Sequence, residues 1–290
     1  MAQARELRRR IKSVQSTRQI TRTMEMVATS KLKRAQDRVV AARPYANALA
    51  EVIGDLYAPD LAERFPLLRQ PGPSGVKRVA LICVTANRGL CGAFNTNLIR
   101  ETRRRIADLE GQGAQVDLHL IGKKGAAFFR FTKRAVASQR IDIGERPTAD
   151  HAQQIIAPLL EQFASGRLDA VEIVCAKFNS AISAPATTMR ILPIAPPEAK
   201  GGTKADYLLK PSAEAILEEL LPLYVRNQVY RGLVETAAGF YGSQRTAMKN
   251  ATDNAGEMLD ILKRTYNRAR QGQITQELAE IVGGAAALNG

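Results

Sequence analysis

The two ends of the chain carry apolar patterns of helical period that extend much further than the helices of an ordinary globular domain. Residues 2–57 predict one helix, which at 1.5 Å per residue would span roughly 80 Å. Pro44 is expected to kink this helix or to end it just before that position. Residues 212–290 predict a second long helix with Ser212 as its N-cap, and Pro222 is expected to kink its first turns.

Both predicted helices carry apolar stripes at the three- and four-residue spacing of a coiled coil. The N-terminal stripe changes phase at Ile20, Met24 and Val27, within the segment ITRTMEMVATSKLKRAQ, and this phase change predicts an irregular coiled coil. Each stripe needs a partner, because apolar side chains gain free energy when they leave water. The predicted C-terminal stripe is formed by Met248, Ala251, Ala255, Met258, Leu262 and Ala269.

The middle of the chain has a different pattern, in which short β-branched runs alternate with helical segments. Strands that alternate with helices indicate an α/β domain around a mainly parallel sheet, similar to a Rossmann fold. The Pro- and Gly-rich residues 58–76 and 195–211 are predicted linkers. The predicted strands are residues 77–84, 115–121, 134–141, 169–178 and 187–194, and the predicted helices are residues 95–110 and 149–165.

The arrangement of these parts follows from their sizes. An α/β domain of ~130 residues has a radius of gyration of only about 14 Å, so it cannot cover the stripe of either long helix. We therefore predict that the N-terminal helix (1–57) and the C-terminal helix (212–290) form an antiparallel two-helix coiled coil. The α/β domain (77–194) is then an insertion that lies at the side of this rod.

The chain is strongly basic, with 42 Lys and Arg against 28 Asp and Glu and a formal net charge of +14. This charge favours an anionic partner, such as nucleic acid, lipid headgroups or an acidic protein surface. A basic coiled-coil protein that binds nucleic acid is one candidate. Aromatic residues are only 5% and Trp is absent, however, whereas proteins that stack bases expose aromatic side chains. No run is apolar enough to span a membrane or to serve as a signal peptide, so membrane association is expected only through partners or charge.

Residues 85–95, TANRGLCGAFN, are the most motif-like stretch, because their glycines lie between a predicted strand and a predicted helix. Such a turn can bring backbone N–H groups close to a phosphate. The stretch is neither GxGxxG nor a GxxxxGK[ST] P-loop, so a structural turn that needs glycine is the favoured interpretation. GKKG at residues 122–125 is also interpreted as a turn. A nucleotide-binding enzyme is disfavoured, because the sequence has no phosphate loop.

The cysteines and histidines form no catalytic or metal-binding pattern. Cys83, Cys91 and Cys175 have no CxxC spacing, and the first and last lie in apolar runs that are typical of buried, reduced thiols. His119 and His151 have no ligand spacing around them. Neither an acid–base pair nor a nucleophile elbow is recognisable. We therefore expect no catalytic residues, no metal site and no cofactor.

The C-terminal segment ITQELAEIVGGAAAL, residues 274–288, carries few charges. An exposed apolar helix end is unfavourable in water, so we expect this segment to enter a socket formed by other chains. Apolar contacts are non-directional, which suits a tip that moves within its socket.

Three segments resemble the signatures of one family, the gamma subunits of F-type ATP synthases. They are residues 20–36, residues 251–288 (ATDNAGEMLDILKRTYNRARQGQITQELAEIVGGAAAL) and residues 88–98 (RGLCGAFNTNL). The resemblance implies a non-catalytic rotor shaft whose coiled coil lies inside a head of alternating alpha and beta subunits. It implies that the α/β domain lies against the epsilon subunit and the ring of c subunits, at the cytoplasmic face of a bacterial plasma membrane. Rotation of that ring, driven by protons, would change the state of the catalytic beta subunits.

The resemblance also implies which residues contact the head. Met24 matches the methionine that faces an acidic loop of beta, and Lys31 lies in the family's basic N-terminal segment. Three polar C-terminal residues match the stretch that touches the catch region of beta and the upper bearing. The implied contact residues are Met24, Lys31, Arg34, Arg270, Gln271, Thr275 and Ile281.

The C-terminal helix departs from the family pattern at two places. Family members usually carry a Ser-Glu pair and an Arg-Met pair, where this chain has Gly239-Phe240 and Gln244-Arg245. The arginine is displaced by one position, which is about 100° around a helix. The polar contacts of those pairs are therefore not carried over to this chain.

Overall fold

A computed structural model describes residues 2–56, 64–70, 75–194 and 212–288. Helix α1 spans Ala2–Leu56 and helix α5 spans Ala213–Leu288. A 3-10 turn at Pro66–Leu68 follows α1. The elements between that turn and α5 are β1 (Arg78–Val84), α2 (Phe94–Gly111), β2 (Gln115–Ile121), α3 (Lys123–Phe131), β3 (Ser138–Arg140), α4 (Ala149–Ala164), β4 (Ala170–Ala176) and β5 (Ala186–Leu192).

The strands form one sheet in the order β3-β2-β1-β4-β5. Strand β1 is parallel to β2 and β4, β2 is parallel to β3, and only β5 runs antiparallel to its neighbour. The central strands RVALICV and AVEIVCA are buried along nearly their whole length, which explains their continuous apolar sequences. The predicted mainly parallel sheet is confirmed.

The chain divides into two compact units. The first unit contains the residues up to Ala28 together with those from Arg245 onward, and the second, the α/β unit, contains Thr29–Gln244. Each long helix therefore contributes residues to both units. The division into domains 1–57, 77–194 and 212–290 stays a prediction.

In the unit Thr29–Gln244, parts of α1 and α5 belong to the hydrophobic core. Ile53 of α1 and Val225 of α5 share one cluster with Phe163 of α4 and the β-strand residues Ile82 and Ile173. A second cluster contains Leu32, Ala35 and Val39 of α1 and Val234 and Ala238 of α5. In this unit, segments of both long helices therefore also form part of the core of the α/β domain. Two apolar sheet faces need more cover than α2, α3 and α4 supply, and the long helices provide it.

Both prolines lie inside continuous helices. Helix α1 passes through Pro44 and ends at Leu56, so of the two predicted outcomes, a kink or an end near Arg43, the end is excluded. The lost backbone hydrogen bond is offset by the burial of Leu49 and Ile53 in the turns that follow. Helix α5 likewise continues through Pro222. The predicted N-cap is confirmed, since the Ser212 Oγ accepts a hydrogen bond from the backbone N–H of Ala215 at 3.2 Å.

The GKKG segment is more than a turn. Gly122 has φ 95°, and a Cβ at this position would lie 2.1 Å from the carbonyl oxygen of Thr85, so only glycine fits. Helix α3 begins at the next residue, Lys123, and buries Ala126 and Phe129. This nine-residue helix is not evident from the sequence, because so short a segment shows little more than two turns of periodicity.

The predicted linkers are only partly described by the structure. Within residues 58–76, the segment 64–70 contains the 3-10 turn, and Leu68 of that turn is fully buried in the core of the α/β unit. This part of the chain is therefore packed, contrary to the prediction of a linker. The second predicted linker, residues 195–211, lies outside the described residues.

Candidate partner-contact surfaces

The N- and C-terminal segments of the first unit form an antiparallel helix pair. The Oγ1 of Thr252 donates a hydrogen bond to the Oγ1 of Thr21 at 2.8 Å. The guanidinium of Arg18 lies 3.6 Å from the position that a Cβ on Gly256 would take. As residue numbers increase along α1, the numbers of the facing residues on α5 decrease. The two helices therefore run in opposite directions, which confirms the predicted antiparallel coiled coil.

Polar residues occupy part of the paired face of α1, and they explain why the predicted phase change of the N-terminal stripe is wrong. Arg18, Thr21 and Glu25 continue the same heptad as the apolar positions, so the line of paired positions keeps a single phase, with Arg18 exposed and Thr21 and Glu25 half-buried. Ile20 and Val27 lie off this line and are 59% and 49% exposed. The predicted phase change is therefore an outward-facing apolar stripe beside a regular coiled coil. The apolar heptad residues of α1 in this unit are Leu7, Ile11, Val14 and Ala28.

The paired face of α5 is also shifted from the prediction. Thr252 and Leu259 are buried, whereas the predicted Met258 is 53% exposed. The Oγ1 of Thr252 lies 2.8 Å from both the carbonyl oxygen of Met248 and the Oγ1 of Thr21, so its one proton has an acceptor within its own helix or across the pair and the buried hydroxyl is satisfied. The buried and half-buried heptad of α5 is Met248, Thr252, Ala255, Leu259, Leu262, Tyr266, Ala269 and Gln273.

Helix α5 extends beyond its partner. In an antiparallel pair, the numbers of facing residues have a nearly constant sum, which is 273 or 274 for the two contacts described. Ala4, near the start of α1, therefore lies opposite Ala269 or Arg270. Residues 274–285 are all exposed. Among them Ile274, Leu278, Ile281 and Val282 are between 48% and 68% exposed. An apolar segment of this kind is typical of a surface that another chain covers.

The structure places the predicted contact residues in two groups. In the first unit, Met24 is half-buried, and Arg270, Gln271 and Ile281 are exposed. Thr275 is also exposed, and its Oγ1 donates to the carbonyl oxygen of Gln271 at 3.0 Å.

The other two predicted residues, Lys31 and Arg34, lie in the α/β unit. The ammonium group of Lys31 lies over the ring of Tyr241, 5.6 Å from its centroid. Arg34 is exposed and donates to the Oγ of Ser30 at 3.3 Å. The structure therefore does not bring all seven predicted residues together in one site.

Lys31 and Arg34 line a cleft of about 350 Å³ in the α/β unit. The rest of this basic cleft is not evident from the sequence, because Arg146 and His151 are distant in sequence from α1. Only the packing of the sheet domain brings these residues together. The basic cleft is lined by Lys31, Arg34, Arg38, Arg146, His151 and Tyr241.

The turn TANRGLCGAFN uses its polar groups to hold the chain in place. The Asn95 Oδ1 accepts a hydrogen bond from the backbone N–H of Ala86 at 2.9 Å. The Asn87 Nδ2 donates to the carbonyl oxygens of Ile141 and Ile143 at 3.2 and 3.0 Å. Gly92 has φ 57°, as expected for a turn that needs glycine. These contacts support the interpretation of a structural turn.

Doubly wound sheets commonly bind ligands in a crevice at the carboxyl ends of their strands. Here helix α5 fills that crevice, with Leu233, Thr236 and Phe240 against Val84 and Thr85 of β1 and the turn after it. The remaining cavity of about 30 Å³ has room for about one water molecule. A nucleotide does not fit at this place.

The departure at Gly239-Phe240 reflects close packing of α5. A Cβ added at Gly239 would lie 2.8 Å from the Cβ of Ala184 and 3.1 Å from a ring carbon of Phe94. Phe240 is buried edge-on against the ring of Phe94, with centroids 6.1 Å apart. The serine and glutamate of the usual family pattern would not fit this apolar contact. Gln244 and Arg245, at the second departure, are half-buried.

All three thiols are predicted to be unreactive in the folded chain. Cys83, Cys91 and Cys175 are free and buried. Burial raises the pKa of Cys83 to about 11 and that of Cys175 to about 12, and it also raises the pKa of Cys91. Because the thiolate is the reactive form, almost none is present at neutral pH. Titration with a disulfide reagent should detect three thiols only after guanidinium is added, and fast reaction of any thiol in the native chain would contradict this.

Comparison with known proteins decides the family. The family model described as ATP synthase matches residues 3–288. An ATP synthase gamma chain from Gemmatimonas aurantiaca is 63% identical over 292 residues and covers 100% of both chains. The chain belongs to the family of ATP synthase gamma chains. Another member, from Pelotomaculum thermopropionicum, is 42% identical over 99% of this chain and 100% of its own length. The prediction of a non-catalytic gamma subunit of an F-type ATP synthase is confirmed by this membership.

Solved structures agree with the assignment to the gamma family. The central stalk and c-ring structure of the Tetrahymena thermophila mitochondrial ATP synthase contains a chain that is 25% identical, with a TM-score of 0.62. The match covers 80% of this chain and 99% of that one. A chain of the Euglena gracilis mitochondrial ATP synthase has the same fold, with a TM-score of 0.68 at 20% identity over 99% and 95% of the two chains. No helix within the described residues is long and apolar enough to cross a bilayer.

Proposed function

We propose that this gamma subunit is the rotor shaft of a proton-translocating ATP synthase and carries rotation of a c-ring to the catalytic beta subunits. The observation that carries the proposal is the end of α5, which continues past its α1 partner with its apolar side chains exposed. A rod whose unpaired apolar end is held by a surrounding head can turn within it, because apolar contacts are non-directional.

The energetics favour a stiff rod as the coupling element. Moving one charge through 100 mV supplies about 2.3 kcal/mol, so several proton steps must be combined for each ATP. A shaft can combine them as twist and rotation. The beta subunits then respond because each meets a different face of an asymmetric shaft, and a ligand or partner shifts a conformational equilibrium only through differential contact.

Two surfaces are proposed to contact the alpha and beta subunits. The first is the outward stripe of α1 with Ile20, Met24 and Val27, of which Ile20 and Val27 are exposed apolar side chains that need cover and Met24 is half-buried. The second is the end of α5, with Arg270, Gln271, Thr275 and Ile281. Lys31 and Arg34 are proposed to meet acidic groups of beta.

The remaining partners follow from the same proposal. We propose that the α/β unit contacts the epsilon subunit and the c-ring, in keeping with the c-ring named alongside the central stalk in the Tetrahymena structure. The complex would lie at the cytoplasmic face of a bacterial plasma membrane, with this chain attached only through its partners.

The proposal is tested by reconstitution with matching alpha and beta subunits. The full chain and a chain that lacks residues 274–290 are compared by ATP hydrolysis and by rotation of a bead attached to the α/β unit. The full chain should support rotation. The shortened chain should still join the head through the remaining coiled coil but produce less torque, because it has lost the apolar end.

A matched pair of substitutions separates the apolar surface from the mere presence of the helix. Ile281→Asp should weaken the coupling between ATP hydrolysis and rotation, because it introduces a charge where apolar cover is expected. Glu280→Ala, one residue away and also exposed, should have little effect. If the full chain neither joins the head nor changes its turnover, the rotor proposal is wrong.

A further inference from the structure

The basic cleft collects positive charge that the described part of the chain does not neutralise. Lys31, Arg34 and Arg38 follow one another along a face of α1 at spacings of three and four, and Arg146 approaches from the segment before α4. Within the described residues, none of these four cations forms an ion pair. Like charges at these spacings destabilise a helix when nothing opposes them. The arrangement is therefore unfavourable unless an anion occupies the cleft.

The two carboxylates at the cleft are engaged by arginines from outside it. Arg140 forms two hydrogen bonds with Asp142, at 2.8 and 2.6 Å, and these bonds are the main reason that the pKa of Asp142 is lowered to about 2. Glu145 lies 3.3 Å from the Nε of Arg88. Because these acids already have cationic partners, they do little to offset the four cations that line the cleft.

Two further hydrogen-bond donors complete the lining. The backbone N–H of Thr148 donates to the His151 Nδ1 at 3.1 Å, so the neutral imidazole carries its proton on Nε2. Burial is the main cause that raises the pKa of Tyr241 to about 12, and the negative charge of Glu145 is the second, so the tyrosine hydroxyl stays protonated. Tyr241 is only 6% exposed, which leaves no open ring face on which a nucleobase could stack. The donors and charges suit oxygen-rich anions rather than aromatic ones.

We propose that the basic cleft binds a chain of phosphate groups through Lys31, Arg38 and Arg146. The planar forks of guanidinium groups match phosphate oxygens, and Lys adds a point charge. A volume of about 350 Å³ falls within the range of small-molecule sites. The proposal goes beyond the rotor function, which requires no small ligand. Since Lys31 and Arg34 are also proposed contacts of the head, a bound polyphosphate would compete with that contact.

Calorimetric titration of the full chain with tripolyphosphate, at physiological salt, tests the site. Arg38→Gln and Arg146→Gln should each weaken binding by about tenfold, because each removes charge-assisted hydrogen bonds. Lys33→Gln is the matched control. It removes one positive charge from the same helix, but Lys33 pairs with Asp37 at 3.0 Å and does not line the cleft. The affinity of the Lys33→Gln variant for tripolyphosphate should stay within about twofold of that of the unsubstituted chain, because an exposed charge outside the cleft contributes little.

Further titrations distinguish the source of the phosphate chain. Equal affinity for tripolyphosphate and ATP would show that the cleft recognises phosphates alone, and tighter binding of ATP would assign a nucleotide as the ligand. Either result supports the site. Lack of saturable binding, or an equal loss for Lys33→Gln and Arg38→Gln, would overturn it. Tighter binding of an oligoglutamate peptide would also overturn it, in favour of an acidic protein segment. Because the measurement uses the chain alone, its outcome is independent of the rotation assay.

Discussion

Replacement of Arg105 by methionine is expected to lower the free energy of unfolding by about 3–5 kcal/mol. The Arg105 guanidinium holds the carboxylate of Glu172 on the central strand β4 through two hydrogen bonds, at 2.6 and 2.7 Å. The Glu172 side chain is 3% exposed, so water cannot replace the lost partner. Methionine keeps an apolar stem and removes the guanidinium, with its charge and its two hydrogen bonds to Glu172. Urea unfolding followed by circular dichroism measures the change.

Two further variants show whether the effect comes from an unpaired buried charge. Arg190→Met should cost much less, because Arg190 is half-exposed and lies 3.6 Å from Glu172. The double variant Arg105→Met/Glu172→Met should recover most of the loss, since well-packed apolar residues often replace a buried ion pair at little cost. A double variant as unstable as Arg105→Met alone would show that packing, and not charge, explains the loss.

Gly242→Ala is expected to destabilise the chain by about 2 kcal/mol, although alanine is the better helix former. A Cβ at this position would lie 2.7 Å from the carbonyl oxygen of Ala181, a backbone atom that cannot move aside as a side chain can. Helix α5 must therefore shift away from the loop that joins β4 to β5. The midpoint of urea unfolding should fall, and hydrogen exchange in β4 and in the middle of α5 should become faster.

Gly272→Ala is the control for Gly242→Ala, and it should have the opposite sign. Gly272 is exposed in the same helix, and nothing lies within 4 Å of a Cβ added there. The change should therefore favour helix by up to about 1 kcal/mol. If both alanine variants change stability in the same direction, close packing at Gly242 is not the determining factor.

Several features of the fold follow from local sequence. The β-branched runs of β1 and β4 predict strands buried on both faces, and helical periodicity predicts α1 and α5. The cap at Ser212 and the glycine turn at residues 85–95 follow from local chemistry. The antiparallel pairing of the long helices also follows, because neither stripe could be covered by a domain of that size.

Other features depend on contacts between residues far apart in sequence. Thr21 and Thr252 occupy core positions of the coiled coil because their hydroxyls satisfy each other, and a pattern of apolar letters cannot reveal that. The continuation of α1 through Pro44 depends on burial of the residues that follow it. Arg38 and Arg146 line one cleft only because the sheet domain positions them.

The sequence by itself determined the type of each long element, the α/β class of the middle and the gamma family, because all three depend on local periodicity and on long signature segments. Only the tertiary structure decided which helix face is paired, how far α5 extends beyond α1, and that Gly239 and Gly242 pack against the sheet domain. The reason is physical. Periodicity fixes the spacing of side chains on an element, but the choice of paired face depends on the free energy of contacts with elements elsewhere in the chain.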